Sequence, residues 1–336
     1  MKLISYKRLG AEQLALLLND MAYDTDELDP KLPETMNEFL AQWDSNIQRL
    51  SIAEKEIHGN KHKGVGKDVK KLELMAPVPF PGSARDGYAF RQHVQAARRN
   101  RNLPMIPEFD HYPVFYFTNH RTIQGPGDII CMPDHLDKLD FELEIAVVIS
   151  RKGKNIRAAD ADKYIAGLMI MNDMSARTLQ MEEMLLNLGP AKGKDFATVT
   201  GPYLLTTDEL TEKLIHPKTN HRGAIWDIQM CCRINGTEVS RGNVKDMDWT
   251  FAEIIERASY GVTLYPGDII GSGTVGTGCF LELNGTAKMN DPYYKEQWLK
   301  PGDTIELEIE RLGILKNHIV TADSDFSILA LSKEGL

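Results

Sequence analysis

Glu142 and Glu144 stand on either side of a single leucine in the run Asp140-Phe-Glu-Leu-Glu-Ile-Ala-Val-Val-Ile149. The β-branched tail of that run reads as a strand, in which residues two apart share a face. Both carboxylates then point one way, about 6–7 Å apart, while Phe141, Leu143 and Ile145 point the other. Like charges on a partly buried face repel and lose hydration. A hard divalent cation between them is one economical answer. A solvated sheet face is the plain alternative, and the motif by itself leaves both open.

Other residues could add to such a site. The apolar run Tyr164 to Met171 ends in Asn172-Asp173-Met-Ser-Ala-Arg177-Thr-Leu-Gln180. It reads as a strand that delivers Asp173 at its end, followed by a helix starting near Ser175. Asp173 can cap that helix. Arg177 and Gln180, three apart, share a face of its first turns and would make a polar wall. Gly271-Ser-Gly273-Thr-Val-Gly276 has the literal GxGxxG spacing. The following Cys279-Phe-Leu-Glu-Leu283 alternates like a strand, with Glu282 facing solvent. A dinucleotide fingerprint needs a helix there, so the glycines are read as a close approach of backbone to a small ligand. His93 and Lys194, taken alone, are a structural histidine and a loop lysine. No GxSxG elbow, HExxH or Walker loop occurs.

The elements that would position these residues are mostly β. Residues 2–7 and 14–19 read as strands, with a turn at Asn19-Asp20, and the apolar spacing from Pro33 to Ile57 is helical. The stiff, proline-rich Ala76-Pro-Val-Pro-Phe-Pro-Gly82 marks a boundary. It separates a small N-terminal α/β domain, 1–75, from a larger domain, 76–336, that carries the candidate residues. In that second part Pro-Gly-Asp occurs at 126–128, 266–268 and 301–303, each time ahead of a β-like run. Pro-Gly suits the centre of a type II turn leading into a strand. Further helices are expected at 160–166, 176–187 and 250–258. Without regular strand–helix alternation the pattern excludes a doubly wound sheet. It favours an α+β, mostly β fold with a rolled or barrel-like sheet.

Whole-chain properties narrow the function. A net charge of −9 over 336 residues makes nucleic acid an unsuitable partner. The basic run Lys61 to Lys71 lacks interleaved aromatics and reads as a solvated connection. No apolar stretch has the length of a membrane span, so no membrane partner is expected. The first residues, Met-Lys-Leu-Ile-Ser-Tyr-Lys-Arg, lack the apolar run of a signal peptide. Cys131, Cys231, Cys232 and Cys279 have no zinc-finger or CxxC spacing, so free thiols in a cytoplasmic protein are expected.

Taken together, several stretches resemble the fumarylacetoacetate hydrolase family. They are Glu142-Leu-Glu144, Met171 to Gln180, Gly193-Lys-Asp-Phe, Tyr265-Pro-Gly-Asp-Ile-Ile-Gly-Ser-Gly-Thr274 and Leu312-Gly-Ile-Leu-Lys-Asn317. The likeness runs in order from about Pro77 to 320. It implies a mixed β-roll catalytic domain and a homodimer acting on a 2-oxo or diketo acid at one metal, with Mg²⁺ expected and Ca²⁺ or Mn²⁺ as alternatives. By resemblance, Asp86, Glu142, Glu144 and Asp173 are the metal ligands. His93 is the base, oriented by Glu282. Arg177, Gln180 and Lys194 surround the developing negative charge, and Tyr88, Gln180 and Thr274 contact substrate.

The segment Asp86-x-Tyr88-x-x-x-x-His93 tilts the resemblance toward hydrolytic carbon–carbon cleavage of fumarylacetoacetate or a related acylpyruvate. A 2-oxo acid decarboxylase or hydratase and a non-catalytic ligand-binding member are the alternatives. Two departures bear on the substrate. Met184 replaces a family tyrosine, and no arginine stands at the usual distance after His93, although Arg98, Arg99 and Arg101 are close in sequence.

Overall fold

The computed structural model describes residues 1–62 and 64–331. Lys63, within the basic run, and residues 332–336, the end of the expected catalytic domain, lie outside the described residues. The fold is α+β and built on two sheets. The larger has eleven strands. Its main path runs Lys67–Asp68, Met21–Asp24, Ala11–Leu18, Lys2–Arg8, Thr198–Thr206, Ile165–Asp173, Leu143–Ile149, Ile269–Gly271, Ala84–Gly87 and Phe115–Thr118, and Ile123–Gln124 pairs with Thr198–Thr206. The second has five, in the order Thr237–Asn243, Gln229–Ile234, Thr304–Ile309, Gly313–Thr321 and Gly127–Cys131.

Leu143–Ile149 is buried along its whole length. Leu143, Ile145, Val147 and Ile149 join Leu307, Ile309 and Leu315 of the five-stranded sheet in one apolar core. Ala146 and Val148 face a second core, closed by Met36, Phe39, Leu40 and Leu50. Period-two alternation therefore holds, with apolar cover on both faces. The first 75 residues extend the same sheet, because Lys2 and Leu3 pair with Leu205 and Leu204. Each Pro-Gly-Asp turn leads into a strand as expected. Gly267 and Gly302 have φ of +89° and +88°, which a type II turn requires at that position. Those two turns close through Asp268 N–H to Tyr265 O and Asp303 N–H to Lys300 O, whereas Gly127, with φ +121°, is already the first residue of its strand.

Helices differ from the expectation in four places. The helix read from Pro33 to Ile57 is two, Met36–Ala41 and Trp43–His58, broken at Gln42. The Asn46 side chain satisfies the Phe39 carbonyl freed by the break, at 3.0 Å. The expected helix 160–166 shrinks to Ala158–Ala161 and a 3₁₀ turn, because the buried strand Ile165–Asp173 takes up its last residues. A helix at Arg91–Arg99 carries His93 and was not expected. Phe280–Asn290 is also a helix, so Glu282 is helical and buried, correcting the solvent-facing strand position. Three residues of Leu-Glu-Leu alternation are outweighed here by a tertiary cap: Asp140 accepts from the N–H groups of Phe280 and Leu281, at 2.7 and 2.9 Å.

Candidate active site

The central strands meet their neighbours in a register that gathers acids. Leu143 lies opposite Asn172 and Glu144 opposite Met171, so Asp173 ends its strand beside Glu142. The Asn172 side chain locks the approach by accepting from the Glu142 backbone N–H at 2.9 Å. On the far side, Ile269–Gly271 runs parallel to Ala84–Gly87, with Gly271 opposite Asp86. A Cβ on Gly271 would fall 2.5 Å from Asp86 Oδ1, and the Gly273 N–H donates to that oxygen at 3.0 Å. The glycine-rich loop thus folds around a carboxylate of its own chain. A helix does follow the loop, contrary to the strand reading. Its N-terminus is filled by Asp140 and offers no seat to a pyrophosphate.

Asp86, Glu142, Glu144 and Asp173 are all buried, and one oxygen from each lies within 4.8 Å of the others. Lys194 Nζ donates to Glu142 at 2.5 Å and Asp173 at 2.6 Å. Arg177 reaches Glu142 at 2.8 Å and Asp140 at 2.7 Å. Five carboxylates, counting Asp140, therefore share two cations. Burial pushes Glu142 up, but Lys194 and Arg177 outweigh it and hold the group below the usual carboxylate range. Asp86 and Glu144 have no such partner. Burial and the Asp173 charge push Asp86 up to about 7, and burial with the Asp86 charge carries Glu144 well above its ordinary value. Asp173 is raised by burial, which Lys194 opposes.

This donor set suits a hard divalent cation. All four groups offer oxygen, and Glu144 Oε2 and Asp173 Oδ1 are buried without a hydrogen-bond partner.

A cavity of about 950 Å³ opens beside the cluster, lined by Asp86, Tyr88, His93, Glu142, Arg177, Gln180, Lys194, Thr274 and Glu282. His93 Nδ1 lies 2.7 Å from Glu282 Oε2, and the other carboxylate oxygen accepts from the Thr277 N–H at 3.0 Å. Glu282 is thus held from one side while it holds His93 from the other. The Tyr88 ring meets the His93 ring edge-on, with centroids 6.0 Å apart. Gln180 accepts from Arg177 at 2.9 Å through its carbonyl oxygen, which turns its amide N–H groups away from that contact. Thr274 donates to Glu144 at 3.2 Å. Of the four carboxylates, Asp86 and Glu142 line the cavity, whereas Glu144 and Asp173 do not. Of the three arginines after His93, Arg101 lines the cavity; Arg98 and Arg99 turn to the Pro104 carbonyl and Thr286. Met184 lines the wall with Met181 and Leu185, so this stretch of the cavity is apolar.

Two residues of the site were missed in the sequence. Asp140 is fully buried between Arg177 and a helix N-terminus. Its signal was available, since 140, 142 and 144 share one period of two. Tyr116 hydrogen-bonds Asp173 from Phe115–Thr118, the strand at the far end of the sheet's main path, and had no local signal.

Residues 83–320 match the family described as fumarylacetoacetate (FAA) hydrolase, C-terminal. The chain belongs to the fumarylacetoacetate hydrolase family. The human mitochondrial oxaloacetate tautomerase FAHD2A is 32% identical over 300 residues, covering 87% of this chain and 82% of that one. Maleylpyruvate hydrolase from Sphingobium sp. SYK-6, solved with manganese(II) and pyruvate, has the same fold, with a TM-score of 0.67 at 18% identity over 96% of this chain and all of that one. So does 2-hydroxyhepta-2,4-diene-1,7-dioate isomerase from Mycobacterium marinum, with a TM-score of 0.63 at 21% identity and the same coverage. The chain is therefore an enzyme of this family with a small-molecule substrate. The family contains tautomerase, isomerase and hydrolase alike, so membership does not select carbon–carbon hydrolysis. The cytoplasmic placement read from the chain's start is overturned by the human relative, which is mitochondrial. Among the described residues no helix is long and apolar enough to cross a membrane.

Proposed function

We propose that this protein moves a proton at the carbon next to the keto group of a 2-oxo acid, interconverting keto and enol forms, with oxaloacetate as the first substrate to test. One observation carries the reading. A buried His93–Glu282 pair lines the same cavity as Asp86 and Glu142, the two cavity-lining members of a cluster of four convergent carboxylates. The tautomerase relative at 32% identity supports it.

Asp86, Glu142, Glu144 and Asp173 would hold a divalent ion such as Mg²⁺ or Mn²⁺, which supplies Lewis-acid polarisation of the keto oxygen when bound. The chain's own residues then move the proton. Glu282 takes the Nδ1 hydrogen bond of His93, which leaves Nε2 as the basic nitrogen and stabilises the imidazolium once the C3 proton arrives. The electron pair of that C–H bond shifts toward the keto oxygen. Lys194 spends two of its three N–H groups on Glu142 and Asp173, and its third with the Gln180 amide can hold the enolate charge. Returning the proton from His93 to carbon, or to oxygen through solvent, gives the keto or enol acid.

Hydrolytic cleavage of fumarylacetoacetate or an acylpyruvate is the second reading. It uses the same pair on a water molecule, with Gln180 and Lys194 facing the tetrahedral oxyanion. The decisive measurement follows enol absorbance of oxaloacetate with Mg²⁺ or Mn²⁺, in parallel with pyruvate release from an acylpyruvate panel. Parent protein should speed the enol–keto exchange, and His93→Ala should lose about 10²–10⁴-fold with metal affinity kept. Glu282→Gln should fall between the two. Pyruvate release without tautomerisation would select water attack instead. A His93→Ala variant as fast as the parent on both substrates would end both readings.

A further inference from the structure

A second group of donors lies beside the carboxylate cluster. One donor atom each from His93, Cys279 and Glu282 lies within 4.8 Å of the others, and all three residues are buried. The two groups differ in chemistry. Four oxygens make a hard site, whereas nitrogen, sulfur and oxygen together make the set that suits zinc. We propose that His93, Cys279 and Glu282 form a separate soft-cation site for Zn²⁺, whose occupation takes the base pair out of use.

Local structure explains the convergence. Cys279 is extended, with φ −151° and ψ 157°, at the start of the helix Phe280–Asn290, and Glu282 follows in its first turn. Both reach toward His93 on the helix Arg91–Arg99. The sulfurs of Cys131 and Cys231 donate to Ile129 O and Glu238, whereas the Cys279 sulfur accepts from the Glu282 backbone N–H, a contact that a thiolate keeps and that favours it. No proton transfer outlined above needs the Cys279 thiol. His93 and Glu282 line the cavity, which gives an ion its path.

The geometry requires a small adjustment. Zinc bonds of about 2.3 Å to sulfur and about 2.0–2.1 Å to nitrogen or oxygen place tetrahedral donors roughly 3.3–3.7 Å apart. The His93–Glu282 contact of 2.7 Å would open by less than about 1 Å. Binding displaces two protons from the ligand atoms: Sγ–H gives its proton to solvent, and the His93 Nδ1 proton is released while Nε2 takes one from solvent. The thiolate, Nδ1 and the Glu282 carboxylate then bond Zn²⁺, with the fourth position open to water. His93 and Glu282 cannot then serve each other. The inhibition rests on the tautomerase reading; the site itself does not.

Metal binding is therefore read by spectroscopy as well as by rate. Protein loaded with Mg²⁺ is titrated with Co²⁺, whose bond to a thiolate gives a charge-transfer band, and then with Zn²⁺ in competition. The parent should show the band and lose it to Zn²⁺. Cys279→Ser and Cys279→Ala, which leave the Asp140 cap of the helix in place, should both lack it. Both should also bind Zn²⁺ more weakly by more than the roughly 10–100-fold that an outer-sphere partner costs. Their Mg²⁺-supported rate should stay near that of the parent and resist Zn²⁺. A thiolate band in a parent inert toward oxaloacetate would keep the site and refute the tautomerase reading. The proposal is overturned if both variants respond to Co²⁺ and Zn²⁺ as the parent does. It is equally overturned if excess Mg²⁺ reverses the Zn²⁺ effect, which would put zinc among the carboxylates.

Discussion

Asp86→Asn should make the metal-free protein more stable at pH 8 and change it little at pH 4. Asp86 is buried and pushed up to about 7 from an ordinary 3.8. Below about pH 4 the group is protonated in both folded and unfolded chains and contributes nothing to the difference. Between 4 and 7 the unfolded chain has released its proton while the folded chain keeps it, so stability falls as pH rises. Each unit removes about 1.4 kcal/mol, and the 3.2-unit window amounts to roughly 4 kcal/mol at pH 8. Asparagine does not titrate. Its oxygen can still accept from the Gly273 N–H, and its amide can donate toward Glu144. Removing the Asp86 charge also relieves Glu144, which that charge raises, and this change has the same sign. The difference between variant and parent should therefore grow from near zero at pH 4 to about 4 kcal/mol at pH 8, or roughly 8 °C in Tm. Urea denaturation in chelator at several pH values measures it. Added Mg²⁺ should raise the parent more than the variant, because the variant has lost a ligand. A metal-free parent as stable at pH 8 as Asp86→Asn would refute the account of the cluster as uncompensated charge.

Two further substitutions probe the supports of the site. Asp140→Ala leaves the Arg177 guanidinium short of its buried partner and two helix N–H groups without an acceptor. It should cost about 3–5 kcal/mol by denaturation, and a loss below about 1 kcal/mol would show that Arg177 re-pairs. Gly193→Ala would place a Cβ 2.6 Å from the Gln180 backbone nitrogen. It should cost about 1–3 kcal/mol and lower kcat with metal affinity kept, whereas unchanged kinetics would mean that Gln180 does not touch substrate.

Much of the metal side of the site was legible because strands write their geometry into short sequence. Glu142 and Glu144 could be placed on one face from spacing alone, and the strand ending at Asp173 followed from its apolar run. The base side was not legible in the same way. His93 and Glu282 lie 189 residues apart and sit on two helices that local pattern did not reveal. The second helix depends on Asp140, itself 140 residues upstream of the N–H it caps. Pairing across that distance is a property of the fold, and only the family resemblance pointed to it.

The strand Leu143–Ile149 is sealed on both faces, whereas the helices bearing His93 and Glu282 flank the cavity with one side open. Amide exchange should accordingly be slowest beneath the carboxylates and faster in the two helices. Partial opening would then leave the ion-holding acids assembled after the histidine had already parted from its glutamate. Such a molecule would still count as metal-loaded in a binding assay while being unable to turn over. If the four acids hold an ion as proposed, metal content would be a poor measure of the active fraction in an aged preparation of this protein.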